Sequence, residues 1–462
     1  MTSTSPPLTT TPLIPYPQKY PGEGGRGPPA KIENMDRIYL DANATTPVLP
    51  QVVEAMRPFW SETFGNPSSA HHAGQRARSA VDHARTSTAR LLNCSAKEII
   101  FTSGGTESDN LALNGVLQTY LDNHQPAHLI TTAIEHHAIL YTAQSLERRG
   151  IQTTYLAPTR EGLIDPEAFE AALRPETKLI SIMLANNETG AIQPIGKLAR
   201  IAKAYNPAIL VHTDAVQAAA KLPIDLSGAL KNIDLLSLSG HKMYAPQGTG
   251  ILFVRTGVTL AAQLHGGPQE RQRRAGTENV PGIVALGRAA GLAQDWLASD
   301  ARQPENSVIP TTQSSVISTE PRESEADRGG SGETCSSGPA QLATLRDRLE
   351  SGLLATIPNT HINGPSGGST NRTPNTTNLR FDNIDAEALL IALDMQGIAA
   401  SFGAACQSGA TEPSHVLLAM GLTPTEARSS LRLSLSRLTT AEEIDRTLTL
   451  LPPTIARLRS LT

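Results

Sequence analysis

Cysteine is nearly absent from this chain: Cys94, Cys335 and Cys406 are the only three among 462 residues. An odd, widely spaced set excludes a disulfide framework and points to a reducing, cytoplasmic setting. No apolar run reaches the length of a membrane span, and the first residues have no apolar stretch of secretory-signal type, so a membrane partner is not expected. Charge of one sign is also scarce. The formal net charge is −4, and the densest basic cluster is the short Glu270-Arg271-Gln272-Arg273-Arg274. That excludes nucleic acid as the main partner. No internal repeat is visible.

What is present is an ordinary globular composition, with 39% hydrophobic and 18% charged residues, on a chain long enough for two or three domains. Residues 1–34 are rich in Pro, Gly, Ser and Thr without periodicity and read as a disordered tail. Met35, directly before "DRIYLDANATTP", is an alternative start. From there short apolar runs, "EIIF", "HLITT", "KLISIML", "ILVH" and "DLLSLS", alternate with helical patterns such as "ESDNLALNGVLQTYL" and "IGKLARIAKAY". Alternation of this kind predicts an α/β fold with a mostly parallel sheet between helices, and ligands at the carboxyl ends of its strands. Residues 302–340 turn Ser, Thr, Glu, Pro and Gly rich and read as a disordered insertion. A second, smaller unit follows, with strands in "NTTNLRF" and "SLRLSLS".

One lysine stands out. In "SLSGHKMYAPQGTG" Lys242 follows a buried-type strand and precedes a glycine turn. Three other features end strands or open helices: Asp214 and Gln217 in "HTDAVQ", Gly105 and Thr106 in "TSGGTESDN", and His136 in "AIEHHAI". Each has a plain structural reading. A loop lysine is usually solvated, "HTD" can cap a strand, "SGGT" starts many helices, and Glu135-His136-His137 resembles a metal pair but points to alternating faces. Taken together they suit pyridoxal phosphate. This cofactor needs an amine for its Schiff base, a carboxylate for its ring nitrogen, and backbone N–H groups and hydroxyls for its phosphate.

The motifs "YLDANATTP", "FGNPSSAHHAGQRAR", "FTSGGTESDNLA", "ANNETGAIQPI", "HTDAVQAAAKLPIDL", "GGPQERQRRAGTENV", "AACQSGATEPSHVL" and "SSLRLSLSRLTTAEEID" resemble the cysteine desulfurases. These belong to the class V aminotransferase group of fold-type I pyridoxal-phosphate enzymes. The resemblance runs from about Ile38 to the C-terminus, apart from the insertion. It implies a large cofactor-binding domain at 50–297, a smaller α/β domain at 298–462, and a segment 35–49 packed with the latter. It also implies that Lys242 holds the cofactor, Asp214 pairs with the ring nitrogen and Gln217 bonds the ring hydroxyl, with His136 stacked on the ring. Gly105, Thr106, Ser239 and His241 would hold the phosphate. Asn186 would lie near the ring hydroxyl and the substrate carboxylate, and Arg432 would grip that carboxylate. Thr277 would reach the neighbouring subunit's phosphate in a homodimer.

Cys406 would be the nucleophile that takes sulfur from L-cysteine as a persulfide, leaving L-alanine. A buried-hydrophobe reading suits Cys94 better, since Cys406 lies in the small-residue stretch "SFGAACQSGATEP". The family loop commonly reads Ser-Ser-Gly-Ser-Ala-Cys, and here Phe402 and Ala404 replace two serines. A sulfur-acceptor protein such as an iron–sulfur scaffold is the implied partner. A selenocysteine lyase or another class V aminotransferase or lyase is the alternative, and Cys406 is the feature that separates them.

Overall fold

The computed structural model describes residues 37–300, 338–366, 368–403 and 412–461. Twelve strands run through these residues. They are β1 (Ile38–Tyr39), β2 (Ile99–Thr102), β3 (His128–Thr132), β4 (Gln152–Leu156), β5 (Thr177–Ser181), β6 (Leu210–Asp214), β7 (Leu235–Ser239) and β8 (Gly250–Val254). Then come β9 (Thr360–Ile362), β10 (Thr376–Phe381), β11 (Ile398–Ala399) and β12 (Ser430–Ser434).

Seven strands form the main sheet in the order β2-β8-β7-β6-β5-β3-β4. The runs expected to be buried strands are buried, because each face of this sheet is covered. Alternate residues of β2 and β7 go to different cores. Ile100 and Leu235 meet the helices Gly105–Asp122 and His137–Arg148. Ile99, Phe101, Leu236 and Leu238 meet the helices His72–Leu91, Ile195–Tyr205 and Val280–Leu297. β1, β4, β8, β9 and β11 go beyond the strands read from the sequence. β8 is the one antiparallel member of the main sheet, pairing β7 and β2 in opposite directions. The stretch 240–249 is too short to carry a crossover helix, so the chain must turn straight back, and the turn carries Lys242. Two antiparallel steps restore direction. β2, β3, β5, β6 and β7 therefore all point their carboxyl ends the same way.

A second core joins Leu342, Leu345 and Leu349 with Leu379, Phe381, Leu431 and Leu433, and takes in Ile38 and Leu40. Here β12-β10-β9 form an antiparallel sheet, and β1 pairs with β11. The helix Pro339–Thr356 begins one residue before the expected end of the insertion at 340. Pro339 takes the first helical position, where its missing N–H costs nothing.

Most of the insertion, like residues 1–36, lies outside the described residues, but its two ends are close. The Ala340 N–H donates to Asp300 Oδ2 at 2.9 Å. A short glycine–serine linker in place of 301–337 should therefore fold and keep its stability within about 1 kcal/mol, since loop length costs little once the ends are held. The urea midpoint measures this, and a large drop would show that the segment is structural.

Candidate active site

Five strand ends meet one cavity of about 420 Å³. β6 delivers Asp214 and, just beyond, Gln217. β7 delivers Ser239, followed by the turn Gly240–Lys242. β2 leads into the helix that starts at Gly105. β3 leads to His136, and β5 to Ala185 and Asn187. Arg432 closes the wall from β12.

The Lys242 amine donates to the backbone oxygens of Asn43 and Ala44, both at 2.6 Å. Its turn is held firmly. Tyr244 has a left-handed backbone (φ 66°), which costs a non-glycine residue energy and persists only where surroundings impose it. The Tyr244 hydroxyl accepts from the Arg437 N–H at 2.7 Å, and the Arg437 guanidinium lies 4.3 Å from the ring centre.

Asp214 is buried, and burial pushes its carboxyl up to about 6 against the pull of Lys242. Its Oδ1 accepts one N–H, from Val216. A cationic ring nitrogen is the partner such a carboxylate lacks. Beside it, Gly105 opens an 18-residue helix whose N-terminus has no side-chain cap. A Cβ added at Gly105 would stand 2.9 Å from the Val216 side chain, so any larger residue would force that side chain to move. Uncapped first-turn amides beside Ser239, His241 and Thr106 suit a phosphate. The residues present fit pyridoxal phosphate.

His136 caps the helix His137–Arg148, its Nδ1 accepting the Ala138 N–H at 3.2 Å. Burial, helped by His137 and Lys242, lowers it to about 4. At neutral pH it is therefore an uncharged ring with its proton on Nε2. Arg432, fully buried, pairs with Asp41 at 2.7 Å and donates to the Asn187 carbonyl at 3.1 Å. Its Nε has no hydrogen-bond partner among the described residues, and a bound carboxylate would supply one.

The class-V aminotransferase family profile matches residues 38–323 and 339–447. Cysteine desulfurase IscS of Methanosarcina thermophila is 44% identical over 424 residues, which is 92% of this chain and 93% of that protein. Cysteine desulfurase 2 of Trichormus variabilis is 45% identical over 92% of this chain and 95% of its own length. The chain belongs to the cysteine desulfurases of the class-V aminotransferase family. Solved structures agree. A NifS-like protein superposes with a TM-score of 0.77 at 35% identity, covering 91% of this chain and all of that one. The structure of SspA in complex with cysteine gives 0.67 at 36% identity, covering 86% of this chain and 98% of the other. The sheet and flanking helices are those of the fold-type I enzymes.

Asn186 and Thr277, the latter expected at the neighbouring subunit's site, are not among the residues that line this chain's cavity. Asn186 Oδ1 accepts from the Glu188 and Thr189 N–H groups at 2.9 and 3.0 Å, and its Nδ2 donates to the Ile134 carbonyl at 3.1 Å. The side chain is consumed in shaping its own turn, and the next residue, Asn187, faces the cavity instead. Thr277 is exposed, in a loop outside the cavity. Cys406 lies outside the described residues, but both flanks are near the site. Ser401 exchanges backbone hydrogen bonds with Arg432, and Ser414 donates to the Glu188 carboxylate at 2.5 Å. Asn43, Asp109 and Asp41 were not among the residues read from sequence. Asn43 and Asp109 line the cavity, and Asp41 pairs with Arg432.

Behind Asp214 lies a buried polar layer of Asp109, His212 and Glu135. Burial, with Asp214 nearby, holds the Asp109 carboxyl well above its usual range, and burial pushes Glu135 up to about 8. Glu135 Oε1 accepts from Thr132 and Met183, while Oε2 has no partner among the described residues. A carboxyl raised on folding stabilises only while protonated. Its contribution is whole below the unfolded value of about 4.5 and is lost as pH rises through about 8. Glu135→Gln keeps the shape without the titration. Its free energy of unfolding, from urea titrations, should gain on the wild type's progressively from pH 5 to pH 8, by on the order of a few kcal/mol at the upper end. Parallel curves across that range would show that Glu135 is not buried in this way.

Proposed function

We propose that Lys242 carries pyridoxal phosphate and that Cys406 takes the sulfur of L-cysteine, leaving L-alanine and a persulfide. The observation that carries this reading is one cavity holding a lysine amine, a buried carboxylate, an uncapped helix start and an arginine with a buried spare donor. When bound, the cofactor supplies an electron sink for the charge left when the substrate Cα loses its proton.

The chain's residues do the rest. Arg432 grips the substrate carboxylate through its spare Nε, held in place by Asp41. Asp214 keeps the ring nitrogen charged, and Gln217 donates to the ring hydroxyl. His136, a neutral imidazole on the cavity wall, would stack on the ring and pass protons through Nε2. Gly105, Thr106, Ser239 and His241 hold the phosphate. Lys242, once its amine is released, takes the Cα proton, and the Asn43 and Ala44 carbonyls steady the ammonium so formed.

Cys406 then attacks the substrate sulfur as a thiolate. An S–S bond forms, the C–S bond breaks, and the carbon side takes up a proton. Gly403 is the last described residue before this segment, so three residues of chain, about 10 Å at full extension, lead from it to Cys406. The persulfide passes to an acceptor protein of the iron–sulfur scaffold kind. Thr277, exposed on its loop, completes the neighbouring subunit's phosphate site in a two-fold homodimer.

The loaded protein, given L-cysteine and a thiol reductant, should release alanine and sulfide in equal amounts. A keto acid in place of alanine would assign a transamination instead.

A further inference from the structure

Lys221 is a buried lysine that the reaction above does not use. Among the described residues its amine touches two oxygens, and neither belongs to a carboxylate. It donates to Gln217 Oε1 at 2.6 Å and to Asn43 Oδ1 at 3.1 Å. A buried amine without a counter-charge is costly, so its retention calls for a reason. Burial, with Lys242 and Arg432 nearby, holds it well below the ordinary lysine range.

Its two partners have fixed orientations. An amine that donates to a carboxamide must face its oxygen, so the NH₂ group points the other way. Gln217 accordingly donates Nε2 to the Asn43 backbone carbonyl at 2.9 Å. Asn43 donates Nδ2 to the Asn187 carbonyl at 3.0 Å and to Thr376 Oγ1 at 2.9 Å. Asn375 fills the remaining place on Asn43 Oδ1 at 3.0 Å, and Ser434 Oγ accepts the Asn43 N–H at 3.0 Å. Every donor and lone pair of Asn43 is engaged, and its backbone oxygen is one of the two that hold the Lys242 amine.

We propose that Lys221 is a positioning residue for the reacting amine: by orienting the carboxamides of Asn43 and Gln217, it sets where Lys242 holds its nitrogen and which group Gln217 turns to the cofactor ring. The proposal rests on the assignment of Lys242 and pyridoxal phosphate above. Asp109, His136, Asp214, His241 and Arg432 are the other ionisable groups facing this point, each from a different element, and the test leaves all of them in place.

Lys221→Met removes the donor at similar length and frees Gln217 to rotate. An N–H donated to the ring hydroxyl favours its anion, and without that donor the oxygen holds the proton of the adjacent lysine-linked nitrogen more tightly. The pH midpoint of the visible absorption should therefore rise by about one unit. Gln217→Met should give the same rise, and the double variant should add nothing to it. Lys221→Gln, which restores an uncharged N–H donor, should keep the wild-type midpoint, and it serves if the methionine variant fails to fold. A crystal structure of the cofactor-free Lys221→Met protein should show the Gln217–Asn43 hydrogen bond lost. An unchanged midpoint with that bond intact overturns the proposal, as do additive shifts in the double variant. A Lys221→Gln midpoint shifted as far as the methionine variant's also overturns it, by assigning the effect to charge. If the wild type never acquires the absorption, the cofactor assignment is what fails, and the cofactor-free structure alone decides the role of Lys221.

Discussion

Lys242→Ala should give a folded protein that neither develops the visible absorption of a lysine-linked cofactor nor turns over L-cysteine. Turnover should fall by roughly 10⁴-fold, the upper end of what a positioned proton-transfer group supplies, because attachment and Cα proton removal are lost together. The fold should survive. The Asn43 carbonyl keeps the Gln217 donor at 2.9 Å, and the turn is still held by Tyr244 and Arg437. The second buried amine, that of Lys221, points at the Asn43 and Gln217 side chains and does not line the cavity, so it should not substitute. Borohydride reduction followed by peptide mass spectrometry checks this. Cofactor fixed to Lys221, or to any other lysine, with activity retained would overturn the assignment of Lys242.

Cys406→Ser should separate two halves of the reaction. Substrate binding and the change in visible absorption on adding L-cysteine should persist, because Arg432, Asp214 and Lys242 are untouched. Persulfide and sulfide should disappear, with turnover down at least about 10³-fold, since a serine hydroxyl is far from ionised at neutral pH and cannot stand in for a thiolate. Cys94 offers no substitute. Burial, with Glu98 nearby, pushes its thiol up to about 12, so almost none is thiolate at neutral pH. Mass spectrometry of wild type stopped in mid-turnover should find the extra sulfur on Cys406. Persulfide on Cys94 or Cys335, with Cys406 dispensable, would move the nucleophile.

The linear order of residues carries a great deal here. Apolar runs four to seven residues long, alternating with helical periods, declare a sheet buried on both faces, because a covered strand is mostly apolar on both sides. Lys242, Asp214 and Gly105 are legible for a related reason. Each ends a strand of that sheet or follows it within three residues, and parallel strands bring their carboxyl ends to one edge whatever lies between them in the chain. What local pattern does not carry is the choice between neighbours and the identity of distant partners. Asn186 and Asn187 are the same residue type side by side, and the turn that spends one amide on its own backbone decides which of them faces the cavity. Asn43 reads as one polar residue in "DANATTP". Its partners lie 144 to 391 positions away at Asn187, Gln217, Lys221, Lys242, Asn375, Thr376 and Ser434. Lys221 looks like a surface lysine in "AVQAAAKLPIDL". Only the folded chain, by closing the N-terminal segment over the strand ends, removes water from its amine and leaves two carboxamide oxygens in its place.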